Sequence, residues 1–173
     1  HREIMEPVLP DHIRPNMCSA RQSGQARLTL TARHAGERFI IKAVRRLAAA
    51  PPAPVEGREM LERAGVSERG VSTLAALTAL LPDMAPQLRL HDVGSPFVSS
   101  GEIVLLGELG RRQRLNPQPV GPTVLWPLSI EPSLDVLLRA AAAALCNADL
   151  PIPHRTISSA GDLARGMTSR QES

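Results

Sequence analysis

His91-Asp92, followed by Ser95, Ser99 and Ser100, gathers a base, an orienting acid and candidate nucleophiles in one short stretch. A hydrolytic triad is defined by how such groups aim at one another rather than by their nearness in sequence. From Gln87 to Val93 the chain alternates in polarity, which predicts a short extended piece. Adjacent side chains of extended backbone point to opposite faces, so His91 and Asp92 diverge. There is no G-x-S-x-G turn, and Ser99-Ser100-Gly101-Glu102 reads instead as the capping box of a helix. No catalytic residue is assigned. The other ligand-type residues are His1, His12, His34, His154, Cys18 and Cys146. They form neither C-x-x-C nor H-E-x-x-H, so no metal and no cofactor are expected. Gly107-Glu108-Leu109-Gly110 lacks the Lys-Ser or Lys-Thr of a phosphate loop; within a helical pattern its glycines suit the close approach of another helix.

The strongest polar feature is a basic face. In Gly36–Ala50, Phe39, Ile40, Ala43, Val44 and Leu47 share one helical side, while Arg38, Lys42, Arg45 and Arg46 take the other. Those four cations are a candidate surface for an acidic partner, and the same stripe arises on the solvated side of any amphipathic helix.

The elements that must position these groups follow from period and punctuation. Pro51-Pro52 stops the first helix. Pro54 opens a second, ending at Gly65, with Glu56 and Glu59 near its positive end. Ser67 caps a third, with Val71, Leu74, Leu77, Thr78 and Leu81 inward and Pro82 as its stop. A fourth follows Ser99, turns Ile103, Val104, Leu106 and Leu109 inward, and ends in Arg111, Arg112 and Arg114. Pro117, Pro119, Pro122 and Pro127 mark a long connection. A fifth helix runs from Pro132 to Asn147, lined by Leu134, Leu137, Leu138, Ala141 and Leu145. The expected fold is all-α: a small bundle of about five helices over 35–153, between an irregular arm, 1–34, and a disordered tail, 154–173.

Met60-Leu61-Glu62-Arg63-Ala64-Gly65-Val66-Ser67-Glu68-Arg69-Gly70-Val71-Ser72-Thr73-Leu74 resembles the helix-turn-helix of LacI-type regulators, whose core reads A-G-V-S-x-x-x-V-S. The resemblance implies a Gly65 turn between packed helices and DNA contacts from Ser67, Glu68, Arg69, Ser72 and Thr73. More broadly, Glu37 to Pro153 is similar to a group of small helical proteins from GC-rich proteobacteria. That likeness rests on Glu37-Arg38-Phe39, Arg45-Arg46, Leu88-Arg89-Leu90, Ser95-Pro96 and Leu150-Pro151, and it implies a helical fold and no particular activity.

Composition narrows the function. The 173 residues carry 20 basic and 17 acidic side chains, net +3, too weak a field to argue for nucleic acid. The charge is uneven: 1–53 is net +5, 54–110 net −4 and 111–173 net +2. The helix-turn-helix segment thus lies in the acidic third, which works against phosphate contacts. With only Phe39, Phe97 and Trp126 as aromatics, a platform for stacking bases is excluded. No apolar run reaches the roughly 18 residues of a membrane span. Cys18 and Cys146 give no sign of an oxidising compartment, and whether they pair is open. The chain opens on His1 rather than Met, which leaves its native start open. The reading is a non-enzymatic, cytoplasmic bacterial protein-interaction or regulatory module with a protein partner. The alternative is a DNA-binding transcriptional regulator using 60–74.

Overall fold

Caps and turns set the ends of the helices. The computed structural model describes residues 29–114 and 131–168, with side chains to Leu163. Among them are six helices: α1 (Ala35–Ala48), α2 (Ala53–Arg63), α3 (Glu68–Met84), α4 (Ser100–Arg114), α5 (Pro132–Asn147) and α6 (His154–Thr168). The fold is all-α. Its first 28 residues and the proline-rich connection 115–130 lie outside the described residues.

Three of the ends are legible in atomic detail. At the start of α4, the Ser99 hydroxyl accepts from Glu102 N–H (3.0 Å) and the Glu102 carboxylate accepts from Ser99 N–H (2.8 Å). That reciprocal pair is the expected capping box. Ser67 Oγ accepts from Gly70 N–H at the start of α3 (3.2 Å). At the end of α2, Val66 N–H donates to Leu61 C=O (3.0 Å) and Gly65 N–H to Glu62 C=O (2.9 Å). Gly65 takes φ +90°, a conformation that side chains with a Cβ rarely adopt.

α4 is the axis of the bundle. Every residue from Gly101 to Gly110 is buried, so this helix has no solvent stripe in that stretch. It packs against α5 and α6, while α1 meets α2 and α3, and α3 meets α5. The core stripes fall where the period puts them: Ile40, Ala43 and Val44 on α1, Val71, Leu74, Leu77 and Leu81 on α3, Leu134, Leu138, Ala141 and Leu145 on α5. Glycines admit the closest approaches. A Cβ on Gly110 would lie 2.8 Å from Ile152 Cγ2, and one on Gly101 2.6 Å from the Arg89 backbone nitrogen.

The structure corrects three expectations. The polar 154–173 is not a disordered tail as far as Thr168: α6 packs closely on α4, burying Ile152, Thr156 and Ala160. Ile157, Ala160 and Leu163 recur at helical spacing, a period that the polar, Ser- and Gly-rich composition of the segment masks. The helical body therefore extends beyond 35–153, and at its other end Leu30 N–H donates to Pro96 C=O (2.8 Å). Pro82 does not stop α3, which runs on to Met84; proline removes the donor for the Thr78 carbonyl yet is accommodated in the last turn. Gln87–Val93 pairs in no strand; the one isolated bridge among the described residues joins Thr29 and Phe97.

Candidate functional site

The residues gathered at 91–100 serve the backbone. His91 and Asp92 are exposed. His91 contributes its N–H, which donates to Glu102 Oε1 (3.0 Å), and Ser99 Oγ donates to Arg89 C=O (2.6 Å). Asp92 C=O accepts from Ser95 N–H (3.0 Å), closing the turn at Gly94.

The basic face of α1 divides. Arg45 does not belong to a partner-binding surface: it is 2% exposed and points into the bundle. Its Nε donates to Glu102 Oε1 (2.6 Å) and its Nη2 to Oε2 (2.8 Å), while Nη1 donates to Ser95 C=O (2.8 Å) and Nη2 also to Phe97 C=O. Arg46 reaches Glu56 (3.4 Å) and the Lys42 carbonyl (3.3 Å). Arg38 donates to Thr31 C=O (3.2 Å). Of the four, Lys42 alone is fully on the surface. The helical period puts position 45 near the boundary of the two faces, and only a partner on α4 decides its side.

Glu102 therefore meets four donor groups inside the protein. Burial acts to raise its pKa, but the bonds from Arg45, Ser99 and His91 outweigh this and hold the carboxyl below its ordinary value. A second buried network lies along α4 and α5. Arg112 bridges Glu108 and Asp135, and Asp135 also accepts from Arg139 Nε (2.6 Å). Burial opposes ionisation of Asp135, and its two arginines prevail, so its pKa is also lowered. A third joins α1 to α6, where Glu37 accepts from His34 N–H (2.8 Å) and from the Thr156 hydroxyl. All three sets link helices distant in sequence, which is why sequence patterns missed them. Among the described residues no three His, Cys, Asp or Glu side chains are grouped to hold a metal. Cys146 is exposed with a free thiol, and Cys18 lies outside the described residues.

The helix-turn-helix segment folds as α2, a Gly65 turn and α3. Ser67, Glu68, Arg69 and Ser72 are exposed and Thr73 is half-buried. Leu61, standing where the motif wants a small residue, is buried in the core at 1% exposure. The opposite side of α3 is taken: a Cβ on Gly70 would lie 2.7 Å from Ala144 Cβ of α5.

The concavity that stands out is a trough of about 610 Å³. Leu47 and Ala48 from the end of α1, Thr78, Ala79, Leu81 and Pro82 of α3, and the 85–90 segment line it. Ala48, Ala79, Pro82, Pro86 and Arg89 are exposed, so it is open to solvent. Apart from Thr78 and Arg89 its walls are apolar. No sequence pattern announces it, because its walls come from two helices and a loop that only the fold brings together. Compared with known proteins, the chain matches no family model, no curated protein and no solved structure. No described helix is long and apolar enough to cross a membrane.

Proposed function

We propose that this chain is a non-enzymatic helical protein-interaction or regulatory module, whose partner lays an apolar segment in the trough between the ends of α1 and α3. The observation that supports this is the trough itself, about 610 Å³ in volume and lined mainly by aliphatic residues. Concave apolar surface with few polar groups is what binding sites are made of. The buried carboxylates Glu37, Glu102 and Glu108 support binding over chemistry, because each is engaged with groups of its own bundle. A carboxylate committed in this way is not presented to a substrate.

The test is comparative capture from the native host. Ala79 and Ala48 are exposed and line the trough, so Ala79→Glu and Ala48→Glu place a charge in it without disturbing the core. A partner retained by the native chain and lost from both variants is expected. Identical captures, with helicity unchanged by circular dichroism, would refute the proposal.

A second reading is supported by the exposure of Ser67, Glu68, Arg69 and Ser72 on α3 just beyond the Gly65 turn. In this reading the chain is a DNA-binding transcriptional regulator, and those residues with Thr73 enter the major groove. It requires a duplex shift at low salt that weakens steeply with added salt and on Arg69→Ala. No shift at micromolar protein would remove it.

A further inference from the structure

The trough carries a charge that no described residue answers. Arg89 is the one charged residue among those lining it. Its backbone is held tightly: the carbonyl accepts from Ser99 Oγ (2.6 Å), and its nitrogen lies where Gly101 leaves no room for a Cβ. Its guanidinium, by contrast, makes no hydrogen bond or ion pair with a described residue. The arginines at 45, 46 and 112 all bond to carboxylates within the bundle. A fixed backbone carrying an unpaired fork beside aliphatic walls matches a carboxylate attached to an apolar body.

We infer that the trough takes an acidic amphipathic segment of a partner protein: aliphatic side chains against Leu47, Ala79, Pro82 and Leu90, and an Asp or Glu carboxylate on the Arg89 guanidinium. The inference rests on the interaction reading above and names the chemistry of its partner. The openness of the trough selects a protein segment over a small amphiphile. Small-molecule sites enclose most of their ligand, whereas this surface leaves one side in water. A helix laid along it supplies its own polar back. The walls hold no acidic residue to repel such a segment.

Selection of displayed random 15-residue peptides on the full chain, with counter-selection on Ala79→Glu, tests this directly. The expected winners carry aliphatic residues at helical spacing flanked by Asp or Glu. Synthesised and measured by fluorescence anisotropy, they should bind Arg89→Glu about tenfold more weakly than the native chain. Arg89→Lys, which keeps the charge and loses the fork, should bind with an affinity between those two, and replacing the acidic residue by Lys should restore binding to Arg89→Glu. Trough-dependent winners with no acidic residue, or with a basic flank, overturn the inference and leave the interaction reading standing. Absence of winners, or winners indifferent to Ala79→Glu, overturns both. Self-association of the native chain that Ala79→Glu abolishes would give the trough to a second copy and overturn the acidic-segment assignment.

Discussion

Glu102 and Glu108 lie on the same helix, both buried and both paired with arginine, yet their surroundings differ. Glu102 stands in the first turn of α4, where backbone N–H groups lack helical partners. It collects bonds from Ser99 N–H and His91 N–H as well as from Arg45. Glu108 sits mid-helix, where the backbone donors are already used. Arg111 and Arg112 both bond to its Oε2, while Oε1 and the Arg111 Nε are buried and have no partner among the described residues. One carboxylate is saturated by geometry that the helix start provides, and the other relies on side chains alone. A buried ion pair contributes net stability only where every polar atom is answered. The Glu102 network therefore latches α1, α4 and the 88–99 segment, while the Glu108 network contributes less for similar burial.

That contrast can be broken by substitution. Glu102→Ala leaves the buried Arg45 guanidinium without its carboxylate and is expected to lower unfolding free energy by about 3–5 kcal/mol in denaturant titrations. Glu108→Ala should cost about 1–3 kcal/mol, and less than Glu102→Ala. Arg112 retains Asp135 and the residue-108 carbonyl, and an unanswered oxygen is removed. If the two variants prove equally destabilised, the contrast fails. Ser99→Ala removes the hydroxyl half of the capping box and is expected to cost about 1 kcal/mol by thermal unfolding.

Acid sharpens the same comparison. Glu102 has a folded pKa below its ordinary value of 4.5. The unfolded chain therefore takes up its proton first as pH falls. The stabilisation from this group is whole above that ordinary value and is lost as pH drops through the lowered one. Asp135 shifts in the same direction from 3.8 and is partly exposed, so its share is smaller. Acid unfolding followed by circular dichroism should be shallower in Glu102→Gln than in the native chain. An unchanged acid limb would show that Glu102 is not the group that senses pH.

Local features were legible in the residues. Ser99 with Glu102, Ser67 and Gly65 each act within about one helical turn, so neighbouring residues contain all the information needed. The same holds for the inward stripes of α1, α3 and α5, set by a period of 3.6 residues. α6 was legible too, in Ile157, Ala160 and Leu163 at helical spacing, but a composition rich in Ser, Gly and Arg points to disorder and outweighs that period when read first. Its docking depends on a bare glycine surface supplied by Gly110 of α4.

The fate of the charges was not legible. Arg45 and Arg46 are neighbours of one type on one helix, yet Arg45 meets a carboxylate 57 positions away while Arg46 stays near the surface with Glu56. The amino-acid sequence alone thus determined the caps and turns at Ser67, Gly65 and Ser99 and the apolar sides of α1, α3 and α5, because those are short-range properties of backbone and side chain. Which cations are interior, and where an open aliphatic trough with one unanswered arginine forms, was decided by tertiary packing. Burial and ion pairing depend on which distant segments the fold brings together.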